Sequence, residues 1–220
     1  MIRLAGRLPF IGLTNNRPIF KEACERYDLV YFGSVSKYDD DHEMVRGFTL
    51  SPSHVDRHYC VGTVSSRDII LLERQDTISF PSKASRSFTW TVLQIDLAVS
   101  NLPHILLNST RYDEIIYSVL MAKYHHMKVI EGVLFAAHEA AFNGTFKAYT
   151  STQDMDRGMA LLSLDTTSVL GHHFSQFDYE MLGDRLLVYH LTKSPSEQSI
   201  ESMFKAGIWL AGQIETTHLG

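Results

Sequence analysis

The sequence predicts an α+β protein: an antiparallel-dominated sheet system of about nine short strands, with helices packed on one face. Three observations carry this expectation. Phe177 to Leu191 reads as two apolar-rich arms meeting at Gly183-Asp184, a two-residue loop suited to a tight β-hairpin. Short β-rich runs separated by turn residues recur through the first half of the chain. The chain closes on an amphipathic helix with a clear start signal. A hairpin alone is marginal in water, so a larger sheet and a helix must cover it.

In the first hairpin arm Phe177, Tyr179 and Met181 alternate with Asp178 and Glu180, which predicts one apolar face and one solvated face. In the second arm Leu186, Leu187 and Val188 are continuous, as in a strand covered on both faces.

From the start of the chain, residues 1–14 are apolar with Arg3 and Arg7 interleaved, and read as an edge strand or a surface-lying arm. Asn16 then reads as a helix cap, with Pro18 in the first turn, where its missing N–H costs nothing. Ile19, Phe20, Ala23, Cys24 and Tyr27 follow at helical spacing, which makes Cys24 a core residue rather than a nucleophile. Strands are expected over residues 29–34, 44–50, 58–64 and 68–74, with Ser65-Ser66-Arg67 as a hairpin turn. Asp39, Asp40 and Asp41 lack the alternate spacing of a calcium loop and read as a solvated loop.

Residues 88–98 form the longest expected strand, central because both of its faces are partly apolar; Leu102-Pro103-His104 ends it, and 105–107 add a short strand. A helix over 112–124 would turn Ile115, Ile116, Val119 and Leu120 inward. Residues 128–135 fit either a strand or the start of a helix reaching 141. A strand over 145–149 and short helices over 154–162 and 166–173 lead into the hairpin. In the closing helix Ser194, Pro195 and Glu197 make a capping box; Ile200, Met203, Phe204, Ile208 and Ala211 form its buried stripe, and Glu201 can pair with Lys205 outside. Residues 1–220 are read as one α+β domain, with two lobes meeting near 127–142 as the alternative.

The string Phe142-Asn143-Gly144-Thr145-Phe146-Lys147-Ala148-Tyr149, then a helical segment, then Phe177-Asp178-Tyr179-Glu180 and Gly183-Asp184-Arg185-Leu186-Leu187-Val188-Tyr189, resembles an uncharacterised bacterial family of unknown function. Its members carry an F-N-x-x-F strand, a helix and a G-D-x-L-L-V hairpin, and the hairpin over 62–73 and Leu102-Pro103-His104 fit the same order. The resemblance covers most of the chain and implies no activity. Some members bear membrane helices, a feature from which this sequence departs.

Hydrophobic content of 45% and charged content of 20% are those of a globular protein. A net charge of -5 and a pI near 6.1 argue against a nucleic-acid partner, since neutralising phosphates needs a cationic surplus. With only Cys24 and Cys60 there is no disulfide framework, which points to a reducing compartment and a cytoplasmic protein. No window reaches the roughly 18 apolar residues of a membrane helix. Arg3, Arg7, Arg17 and Lys21 all precede the first acidic residue, Glu22, and with Leu4, Leu8, Phe10 and Ile11 suit the surface of an anionic membrane. The competing reading is an edge strand with solvated arginines.

Among side chains with chemistry, His54, His58 and Cys60 form H-x3-H-x-C near Asp56, a set of metal-ligand types without the second pair of a closed zinc site. His125-His126 with His138, and His172-His173, fit helix ends that favour cations. His173-Phe174-Ser175 and His190-Leu191-Thr192 resemble the H-x-[ST] pair of two-histidine phosphoesterases, but one hairpin arm separates them here. No Walker loop, nucleophile elbow, dinucleotide fingerprint or zincin helix occurs. The expected function is a non-enzymatic intracellular binding or scaffold module with a protein partner, no cofactor and no catalytic residue. The alternative is a metal-assisted hydrolase using a histidine cluster.

Overall fold

The computed structural model describes residues 15–34, 45, 47–49, 54–78, 85–110, 117, 119, 121–130 and 140–219. Among them, nine strands form one sheet: β1 Val30–Gly33, β2 Val55–Val64, β3 Arg67–Ile78, β4 Arg86–Asp96, β5 Leu102–Ser109, β6 Met127–Val129, β7 Phe146–Ser151, β8 Asp178–Gly183 and β9 Arg185–Leu191. Every pairing is antiparallel, in the order β1-β2-β3-β4-β9-β8-β5-β7-β6. The helices are α1 Arg17–Tyr27, α2 Ala140–Asn143, α3 Met155–Leu161, α4 Leu164–His173 and α5 Glu197–Leu219. The α+β antiparallel architecture expected from the sequence is the one observed.

The hairpin sits at the centre of the sheet. Leu182 pairs with Arg185, so the loop is Gly183-Asp184, and Gly183 adopts φ 67°. β9 pairs with β4 and β8 with β5, so the hairpin fills the space between two strands consecutive in sequence. A β-branched side chain is strained at that φ, and Gly183→Val is expected to cost about 1–3 kcal/mol. An unchanged melting temperature would contradict the turn. Ser65 and Ser66 also take positive φ, 51° and 63°, between the paired Val64 and Arg67, as the expected turn requires.

α5 lies across β4 and β9, and its buried Ile200, Met203, Phe204, Leu210, Ala211 and Ile214 complete one core with the inward faces of the sheet, α1 and α4. Its cap lies two residues later than expected: Ser196 and Ser199 exchange N–H to Oγ hydrogen bonds of 2.9 and 3.1 Å, and the Ile200 N–H donates to the Ser196 carbonyl at 3.0 Å. Glu201 pairs with Lys205 at 2.6 Å, as anticipated. Asn16 stands at the start of α1 but makes no cap bond; its Nδ2 donates to the Glu73 carboxylate and, at 3.0 Å, to the Lys193 carbonyl.

Several expectations change. Residues 47–49 form a turn where a strand over 44–50 was predicted. Leu102-Pro103-His104 opens β5 instead of ending β4; the register against β8 is interrupted between Leu102 and Ile105, where a strand tolerates proline. Of the helix over 112–124, residues 117, 119 and 121 are helical and lead into a 3-10 turn, Ala122–Tyr124. Strand β6 occupies the start of the ambiguous 128–135 stretch. The arm 1–14, Asp39, Asp40 and Asp41 lie outside the described residues.

Candidate functional site

Strand alternation sends Tyr179 and Met181 toward the helices and Asp178 and Glu180 to the opposite face. That face was expected to be solvated. Instead both carboxylates are fully buried, because Val45, Phe48, Tyr117 and Tyr124 roof the sheet there over Leu72, Trp90, Val92, Leu106, Leu187 and Tyr189. An isolated buried carboxylate is costly, so each must find donors.

Glu180 finds four. Oε1 lies 2.7 Å from His104 Nε2 and accepts from Tyr124 Oη at 3.4 Å; Oε2 accepts from Tyr189 Oη and from the Phe48 N–H, both at 2.7 Å. Burial pushes this carboxyl up, but His104, Tyr189 and Phe48 outweigh it and hold it below the ordinary value. Asp178 has fewer partners: the Ser109 N–H at 2.6 Å and the Tyr117 hydroxyl at 2.8 Å. Here burial wins, and the carboxyl is pushed up to about 7. Burial and the neighbouring Glu180 charge raise the Tyr189 phenol well above its usual value.

A second cluster fixes the other side of the roof. The fully buried Arg74 grips Asp56 with two hydrogen bonds, Nε to Oδ1 at 2.8 Å and Nη2 to Oδ2 at 2.7 Å, and reaches Thr49 Oγ1 at 3.2 Å and the Val45 carbonyl. Gly47 lets the turn come this close: at φ 130° its backbone suits glycine, and a Cβ would overlap Tyr189 Oη. Asp178, Glu180 and Arg74 are therefore bonded to their neighbours on this face and to the roof. They are anchors, and neither carboxylate lines the grooves described next.

On the helical face an open groove of about 590 Å³ runs beside α5, lined chiefly by Tyr27, Val64, Phe174, Phe204, Ile208 and Trp209. Tyr27 stacks on Phe204 with ring centroids 3.8 Å apart, and Phe174 lies 5.9 Å from Trp209. The charges at its rim are paired with one another: Arg26 with Glu197 and, at 3.0 Å, with Glu201, and Lys205 with Glu201 at 2.6 Å. A smaller hollow of about 450 Å³ near Phe88 and Leu191 has a more polar wall, with Arg86, Ser87, Thr192 and Lys193.

The residues singled out in the sequence are dispersed. Cys60 is joined to Cys24 as a disulfide with Cα atoms 6.1 Å apart, so it offers no thiolate to a metal, and the two cysteines expected to mark a reducing compartment, being too few for a framework, form one bond. His58 sits in β2 with Nδ1 2.8 Å from Tyr31 Oη and its ring 5.2 Å from Phe20, and His54 just precedes the strand. Among the described residues, no three His, Cys, Asp or Glu side chains converge as a metal site. His126 is exposed 6.4 Å from His104, while His138 lies outside the described residues. His173 ends α4, and His190 sits on β9 with its ring 5.4 Å from Phe177. Arg3 and Arg7 lie outside the described residues; Arg17 and Lys21 are exposed on α1, with Lys21 Nζ 5.7 Å above the Tyr31 ring.

No family model matches the chain, and no curated protein matches it. Among solved structures it is similar to the mycobacterial trehalose monomycolate transport factor A, TtfA. The match covers 93% of this chain and 94% of that one at 8% identity, with a TM-score of 0.61. The likeness extends over almost the whole length of both chains and concerns the fold alone. No helix among the described residues is long and apolar enough to cross a membrane.

Proposed function

We propose that this protein is a non-enzymatic binding module that docks an apolar segment of a partner protein in the groove beside α5. The carrying observation is the groove itself: Tyr27 of α1, Phe174 at the end of α4, and Ile208 and Trp209 of α5 stand half-exposed together around it, whereas the exposed Val30, Phe32, Val55, Val129, Leu164 and Leu182 lie outside its lining. Tyr, Trp and Arg at such a surface are the side chains that most often carry binding energy. Because the rim charges are paired with one another, selection in the groove rests on apolar contact rather than on charge. A transport factor with the same fold fits an accessory rather than a catalytic role.

The probe is 8-anilinonaphthalene-1-sulfonate, which fluoresces on apolar surface. The folded chain is expected to bind it, and Ile208→Glu, at a half-buried position, is expected to abolish binding while leaving the melting temperature within about 3 °C. Equal fluorescence from both proteins would overturn the assignment. In a second arm, sedimentation with phosphatidylcholine or phosphatidylglycerol vesicles that Ile208→Glu abolishes would assign the groove to lipid and overturn the protein partner. Sedimentation with phosphatidylglycerol that depends on Arg17 and Lys21 would instead support the cationic surface expected from the sequence.

A further inference from the structure

We propose that the Cys24–Cys60 bond makes the groove conditional on an oxidised chain. The proposal rests on the groove being the docking surface. α1 and β1 form an edge unit: β1 pairs only with β2 among the described strands, and α1 packs on β2 and α5. This unit supplies one wall of the groove through Arg26 and Tyr27. Cys24 lies on α1 close before Tyr27, and its sulfur is bonded to Cys60 of β2, 36 positions along the chain. The bond therefore fixes the wall-bearing helix covalently to the body of the sheet.

At its start α1 is held by the buried Phe20 and by Asn16, which bonds to Glu73 and to the Lys193 carbonyl; at the Tyr27 end the ties other than the disulfide are weaker. Arg26 meets Glu197 and Glu201 through side chains that are more than a third exposed, and exposed pairs contribute little. Units at a sheet edge open locally with less free energy than the strands at its centre. The tie that remains near Tyr27 is its stacking on Phe204. With the bond cut, the last turn of α1 can lift from β2 while β3, β4, β8 and β9 keep their pairings, and Tyr27 leaves the groove with it.

The chemistry is thiol–disulfide exchange. A dithiol reductant gives up two electrons and two protons and becomes its own disulfide; the Cys24–Cys60 S–S bond breaks and both sulfurs leave as thiols. Cys24 is 4% exposed and Cys60 0%, so the reductant cannot reach the bond in the closed fold. The state of the pair is thus set while the chain folds or opens, and the groove reports the redox poise of the compartment in which that happens.

The test compares the oxidised wild-type chain, the same chain reduced with dithiothreitol during refolding, and a Cys24→Ser/Cys60→Ser double variant. The 8-anilinonaphthalene-1-sulfonate binding that Ile208→Glu removes is expected to be about tenfold weaker in the reduced chain and in the double variant than in the oxidised chain. Amide exchange is expected to quicken in α1 and β1 while β3, β4 and β9 stay protected. Binding within about twofold of the oxidised chain, with α1 still protected, would overturn the proposal. Global unfolding of both reduced forms would overturn it too, because the bond would then hold the whole fold. If the oxidised chain itself binds no probe, the docking surface is refuted, and the exchange pattern still decides whether the bond holds α1.

Discussion

Phe204→Ala is expected to lower the unfolding free energy by about 3–5 kcal/mol. Phe204 is 2% exposed, belongs to the helical-side core and stacks its ring on Tyr27. α5 is held against β4 and β9 from both sides, so the helix cannot collapse into the space left behind, and lost apolar burial adds to the cost of a cavity. Urea unfolding at pH 7 reads the loss as a lower midpoint at unchanged slope. A loss below about 0.5 kcal/mol would mean that the face is open to solvent and that α5 does not close the core. The same substitution removes the floor of the groove, so weaker probe binding should accompany the lost stability.

Asp178→Asn is expected to stabilise the protein above neutral pH by up to about 4 kcal/mol while leaving it nearly unchanged at pH 4. The sign follows from the environment. Burial raises the folded-state value of Asp178 to about 7, well above the 3.8 of an exposed aspartate, so the native state prefers the protonated form. The contribution of this residue is complete below the unfolded value and is lost as pH rises through about 7. Asparagine copies the neutral form: its oxygen can still accept from the Ser109 N–H, and its amide can donate to the Tyr117 oxygen. The difference between wild-type and variant stability, measured from pH 4 to 8, isolates this group from Glu180, whose depressed value gives the opposite slope. A flat difference curve would show that Asp178 is not enclosed.

How much of this was legible depends on how local the cause is. The Gly183-Asp184 hairpin, the Ser65-Ser66 turn, the β4 strand and the stripe of α5 each follow from residues within a few positions of one another, and each forms close to where the sequence places it. The cap of α5 moved two residues because three serines and a Pro offer nearly equivalent starts. Alternation around Asp178 and Glu180 was read correctly as two faces, and incorrectly as one wet face. Nothing in the hairpin states what lies above it. Apart from Tyr189 in the hairpin itself, the groups that bond those carboxylates come from Phe48, His104, Ser109, Tyr117 and Tyr124, which lie 56 to 132 positions away.

The sequence by itself determined the class of the fold, the place of its central hairpin and the helix that closes its core, because hydrophobic period and turn chemistry act over a few residues. Only the tertiary structure decided that Cys24 and Cys60 are bonded, that Asp178 and Glu180 are buried anchors, and that α1, α4, α5 and Val64 leave an apolar groove between them. Each of these is a meeting of segments distant along the chain. Their closeness is fixed by the order of strands in the sheet, and local preference carries no record of that order.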